Sequence, residues 1–169
     1  MDDNQLRAVL ERLRQGDKTA LEELFFELKT PVFTVILRIV GERELAEDIL
    51  QEFFLKLFRS PPAAPIQKPR AYLFRMARNM AIDGLKERAK DIPLEEIAEP
   101  VENTDFAWRI DVADALAALS LEERQIVTLH LNGGLKFREI AEVMSQPLGT
   151  VLWRYRRSIG ALRDMLNGG

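Results

Sequence analysis

Residues 135–159 read LKFREIAEVMSQPLGTVLWRYRRSI. Apolar side chains at Phe137, Ile140, Ala141, Val143 and Met144 predict a short amphipathic helix over 135–144. Ser145-Gln146-Pro147-Leu148-Gly149 then reads as a turn. Thr150 is placed to cap a last helix whose inner face is Val151, Tyr155, Ile159, Leu162 and Leu166. Two helices on a tight turn, with small Ala141 at their crossing and Val151 locking them, form a helix-turn-helix pattern. The second helix then offers Thr150, Trp153, Arg154 and Arg157 outward, and Arg138 lies at the start of the first. This basic outer face and the tight turn favour DNA over a generic helical hairpin.

Upstream of this unit, helical spacing predominates and strand signals are almost absent. Ser120 is a cap with Glu122 and Glu123 in the following turn, and that helix stops at Asn132-Gly133-Gly134. A further helix is expected over about 110–119. The single histidine, His130, sits among Val127, Leu129 and Leu131 and reads as a packing or surface residue. Residues 91–105 (DIPLEEIAEPVENTD) hold six acids, no base and two prolines, which is the composition of a linker. An acidic run there is either a solvated tether or a nucleic-acid mimic.

The N-terminal part reads as helices over about 4–14, from an Asp17 cap to Gly41, and over 43–59. Pro31 is expected to break or kink the second of these. In the third, Ala46, Ile49, Leu50, Phe53 and Leu57 form an inner stripe, opposite Asp48, Gln51, Glu52, Leu55 and Arg59. Leu55 is misplaced on that polar face and reads as an interface anchor. Ser60-Pro61-Pro62-Ala63-Ala64-Pro65 is a loop stiffened by prolines. A helix from Pro69 to about Arg88 has Leu73, Met76, Ala77, Met80 and Ala81 inside. Outside it collects Arg75, Arg78, Asn79 and Lys86, beside Tyr72 and Phe74. Residues 68–90 hold seven Lys/Arg against two acids, although the whole chain is net −3. Arginines neutralise phosphates, asparagine reads base edges and aromatics stack on unpaired bases.

The fold class is therefore all-α: a helical domain over 1–90, an acidic linker over 91–107 and a helix-turn-helix domain over 108–169. Composition narrows the chemistry. With 169 residues, 47% hydrophobic and 30% charged, the chain suits one or two small globular domains. No cysteine and one histidine leave no thiolate zinc set, no multi-histidine metal site and no cysteine nucleophile. No nucleophile–base pair stands out, so no enzyme, cofactor or small-molecule substrate is expected. The acidic start is unlike a signal peptide, and no apolar run approaches the roughly 20 residues of a membrane span, so a cytoplasmic protein is expected.

Taken in order, these segments resemble the extracytoplasmic-function (ECF) group of bacterial RNA polymerase sigma factors, in the sigma-70 family. Gly16-Asp17 with Ala20-Leu21 and Leu24-Phe25 looks like its opening motif. Residues 46–54 (AEDILQEFF) look like its most specific motif, the polymerase-docking helix. Residues 69–83 (PRAYLFRMARNMAID) look like its promoter-melting helix, and Glu139-Ile140-Ala141-Glu142 with Gly149-Thr150-Val151 looks like its helix-turn-helix.

The resemblance implies a sigma region 2 domain followed by a region 4 domain. Asp48, Gln51, Glu52 and Leu55 would dock on the clamp helices of the largest core-polymerase subunit. The polymerase flap is a further expected contact. Tyr72, Arg75, Arg78, Asn79 and Lys86 would hold and open the minus-ten element, with a flipped base against loop 60–67. Arg138, Thr150, Trp153, Arg154 and Arg157 would read the minus-thirty-five element. The acidic linker would thread the basic RNA-exit path, and an anti-sigma factor is an expected partner. Two positions depart from the family pattern: Leu152-Trp153 replaces a small polar or basic pair, and Ser145-Gln146 stands where a turn glycine is usual. A stand-alone helix-turn-helix regulator is the main alternative, and a polymerase-docking decoy a third.

Overall fold

The computed structural model describes residues 1–91 and 112–167, and among these every regular element is a helix. The chain runs α1 (Asp3–Arg14), α2 (Lys18–Val40), α3 (Arg43–Arg59), α4 (Pro69–Asp91), α5 (Val112–Ala117), α6 (Leu121–Leu131), α7 (Phe137–Met144) and α8 (Leu148–Asn167). From residue 92 to 111, the expected acidic linker and the start of the second domain lie outside the described residues.

Local chemistry sets the helix ends. The Asp2 carboxylate accepts from the Gln5 N–H while the Gln5 amide accepts from the Asp2 N–H, a reciprocal cap on α1. Asp17 accepts from the Thr19 N–H at 3.0 Å and is held by Arg12. Gly41 ends α2 in the left-handed conformation (φ 72°), which glycine adopts without steric cost. At Gly133 an added Cβ would lie 2.6 Å from the Leu129 carbonyl, so the α6–α7 turn requires the glycine.

Of the break or kink expected at Pro31, the break does not occur: α2 runs through it. A proline inside a helix costs about 3 kcal/mol. Leu24, Leu28, Val32, Val35, Ile36 and Ile39 of the same helix are all buried, each contributing roughly 1.5–3 kcal/mol. Burial therefore outweighs the lost hydrogen bond. Around this central helix pack α1, α3 and α4, forming the first lobe.

In the second lobe α5, α6 and α7 pack on α8. The expected Thr150 cap is corrected: α8 starts three residues earlier than that cap implies, at Leu148, and the Pro147 carbonyl accepts from the Val151 N–H at 3.1 Å. Leu166, expected inside, is exposed, because the inner face of α8 near its end is carried by Leu162 and Met165. His130 is a packing residue: its ring stacks on Phe137 at 4.2 Å, and its Nδ1 meets the Leu135 carbonyl.

The turn between α7 and α8 is only Ser145-Gln146-Pro147. Ser145 takes the left-handed conformation (φ 53°) where the family glycine is missing, and the Gln146 N–H reaches back to the Ala141 carbonyl at 2.9 Å. A left-handed non-glycine residue costs roughly 1 kcal/mol. Ser145→Gly is therefore expected to raise the melting temperature by about 2–4 °C, read by circular dichroism.

The two lobes are packed together. Ile126, Leu129, Leu135, Ile140, Val143 and Met144 of the second lobe are buried in the same hydrophobic cluster as α1–α4. Helix α6 lies along α2, and α7 against α4.

Candidate functional site

Three surfaces carry the candidate residues. The first is built on α3. Its inner face commits Ala46, Ile49, Phe53, Phe54 and Leu57 to the core. Beside them Leu21 and Phe25 of α2 and Leu50, Phe54, Leu55 and Phe58 of α3 line an apolar groove of about 320 Å³, rimmed by Glu47 and Gln51. Leu55, expected exposed on the polar face, is half-buried in the wall of this groove, and Leu50, expected inside, lines it too. Asp48, Gln51 and Glu52 are exposed on the same helix. Phe58 is 47% exposed, and the sequence reading left it out. Its signal was the i, i+4 spacing from Phe54, which places both rings on one side of α3.

The second surface is α4. Tyr72, Arg75, Asn79 and Lys86 are exposed there, while Leu73, Phe74, Ala77 and Ala81 hold the helix to the core. Arg78 departs from the expected outward face. It is half-buried, and its Nε donates to Gln125 of α6 at 2.8 Å. Burial, then the neighbouring Arg75 charge, lowers the Arg78 pKa from its ordinary value. Loop 60–67 is tied to α1: Arg7 donates to the Ile66 and Gln67 carbonyls at 2.9 and 2.6 Å, and Arg14 to the Ala63 carbonyl at 3.0 Å. Prolines and these arginines together fix a loop that would otherwise carry free carbonyls.

Closure of the lobes engages this basic helix. Arg75 donates to the Glu142 carbonyl at 3.0 Å, and Lys68 pairs with the Glu142 carboxylate. Arg70 bridges the Gly133 and Met1 carbonyls at 3.0 and 2.7 Å. Across the α2–α6 seam Arg124 donates to the Arg38 carbonyl at 3.2 Å, yet the Nε atoms of both arginines are buried without a hydrogen-bond partner. Burial, then the Arg38 charge, lowers the Arg124 pKa. The seam thus joins apolar surface that favours closure to like charges that oppose it.

The third surface is the outer face of the α7–α8 unit. Arg138, Trp153 and Arg157 are exposed and Thr150 is half-buried. Arg157 lies over the Trp153 ring, 5.4 Å from its centroid. Arg154 is drawn aside: it forms an ion pair with Glu122 of α6, which also accepts from Gln146 of the turn. The Glu139 carboxylate is buried because it caps α7, accepting from the Lys136 N–H at 2.9 Å.

Sigma-70 region 2 matches residues 24–91, and Sigma-70, region 4 matches residues 109–162. The chain belongs to the ECF group of the sigma-70 family. Among similar sigma factors, the ECF RNA polymerase sigma-E factor of Haemophilus influenzae is 29% identical, with 90% of each chain covered. The ECF RNA polymerase sigma factor SigW of Bacillus subtilis is 27% identical over 93% of this chain and 94% of that one. Among solved structures, CnrH in complex with the cytosolic domain of CnrY superposes with a TM-score of 0.71 at 20% identity, covering 96% of this sigma factor and 97% of that chain. The Bartonella quintana sigma factor RpoE in complex with the anti-sigma factor NepR gives 0.65 at 22%, covering 86% and 94%. These two likenesses concern the fold. Among the described residues, no group of His, Cys, Asp or Glu converges as a metal site, and no helix is long and apolar enough to cross a membrane.

Proposed function

We propose that this ECF sigma factor docks on core RNA polymerase through the α3 groove, opens the minus-ten element on α4 and reads the minus-thirty-five element with α8. The groove carries this reading. A stand-alone regulator has no use for an apolar slot bearing Leu55 and Phe58 beside exposed Asp48, Gln51 and Glu52. A helical partner with apolar side chains and basic flanks fits it, as polymerase clamp helices would.

No bond chemistry is required of this chain. The core would hold the two lobes over their promoter elements at a set spacing, so that each weak contact gains effective concentration from the other. Tyr72, Asn79 and Lys86 are exposed in the closed arrangement; Arg75 joins them on leaving the Glu142 carbonyl, and Arg78 once Gln125 moves away. The flipped base would rest against loop 60–67, whose shape is already set by Arg7 and Arg14. The region 2 domain spans 1–90 and the region 4 domain 108–169 in this reading, joined by the acidic linker. An anti-sigma partner is part of it: both solved relatives above were captured with one or with a cytosolic partner domain.

The test is reconstitution. Purified chain and bacterial core polymerase should co-elute at one-to-one stoichiometry and start transcription from a promoter that core alone ignores. Failure to co-elute, with a dimer that shifts DNA by itself, would instead support the regulator. Arg75→Ala should then weaken promoter opening about tenfold, measured by permanganate reactivity of unpaired thymines, with core affinity unchanged. A charge-assisted contact is worth about 1.5 kcal/mol, and each 1.4 kcal/mol is tenfold.

A further inference from the structure

We infer that Trp153 is a specificity residue that reads thymine through its 5-methyl group in the upstream promoter element. The inference rests on the assignment of α8 as the upstream-reading helix. Trp153 is 58% exposed even with the lobes closed, and of the described aromatic side chains in the second lobe it alone is exposed. A solitary exposed apolar residue means little in general. This one has a partner: Arg157, one turn further on, lies over its ring at 5.4 Å and favours one orientation of the indole.

The face around it is cleared for close approach. Gly149 and Gly160 lie four residues before and seven after Trp153, on the same side of α8. A side chain at either glycine would meet nothing within 4 Å. Glycine is a poor helix former, and no packing inside the chain calls for it at these two positions. Arg156 and Arg157, both exposed beside the indole, suit phosphates flanking a groove. Arg154 cannot serve as the central base reader without leaving Glu122. What the helix presents at its centre is therefore an apolar plate, not a hydrogen-bonding fork. In the major groove the apolar feature that distinguishes one base from the others is the thymine methyl.

The test uses the holoenzyme. Duplexes randomised through the upstream element are selected with wild-type and with Trp153→Ser holoenzyme. The selected duplex is then remade with deoxyuridine in place of each thymine, which removes only the methyl group. Wild-type holoenzyme should enrich thymine at one or two positions, and should bind the uracil version there about three- to five-fold more weakly, the worth of one buried methyl-sized group. Trp153→Ser should lose both the enrichment and the sensitivity. Selection of an upstream sequence with no uracil sensitivity, or sensitivity that survives Trp153→Ser, would overturn the thymine assignment alone. A holoenzyme that selects no upstream sequence would overturn the assignment of α8 itself and this inference with it.

Discussion

Leu55→Asp is expected to abolish co-elution with core polymerase while the chain stays folded. Leu55 lines the α3 groove with Leu21, Phe25, Leu50, Phe54 and Phe58, and it is half-buried, not sealed in the core. A carboxylate there puts a charge where an apolar partner must desolvate it. Central interface positions of this kind cost about 2–4 kcal/mol when lost, on the order of 30- to 1,000-fold in affinity. The unbound variant should keep its helical circular dichroism, because its new charge can still reach water. Leu57→Asp, two residues on, supplies the contrast: Leu57 is 1% exposed, and its substitution should unfold the domain. If Leu55→Asp unfolds as Leu57→Asp does, the groove is packing and not a docking site. If it binds core normally, the docking surface lies elsewhere.

The second large effect is on stability. Phe74 of α4 is wholly buried in the cluster that both lobes share. Phe74→Ala should cost about 3–5 kcal/mol, because the loss of transfer energy adds to that of an unfilled cavity. For a chain of this size that is a fall of roughly 6–20 °C in melting temperature. The shared cluster has a further consequence for the same experiment. Residues of α6 and α7 are buried with those of α1–α4, so calorimetry of the wild-type chain should show one cooperative transition. Two separated transitions, with only the first moved by Phe74→Ala, would mean that the lobes do not share a core in solution.

Much of this was legible along the chain because it depends on near neighbours. Asp17 before α2 and Gly41 after it mark the helix ends by chemistry that acts within a turn. The helical period of α3 and its one leucine out of place were legible in the same way. What misled the reading was mostly a distant partner. Pro31 looked like a break because local cost was visible and the burial of Val32, Val35 and Ile36 was not. Thr150 looked like a cap because a threonine in that position often is one, yet Pro147 supplies the first helical carbonyl. Leu55 and Leu50 exchanged their expected roles in part, because α2 lays Leu21 and Phe25 beside α3 and makes a groove of what the wheel drew as a polar face. Arg78 and Arg154 looked like free outward cations, and each has a partner on α6, Gln125 and Glu122.

The sequence by itself determined the helices, their order and the helix-turn-helix, since each rests on spacing and on residues a few positions apart, and its ordered motifs carried the resemblance to the family. The tertiary structure decided which arginines face outward, where the apolar groove opens and how the lobes meet. The physical reason is that burial and pairing are set by contacts across the chain. Arg78 meets Gln125 47 positions away, and Arg124 meets the Arg38 carbonyl 86 positions away. No helical period carries that information.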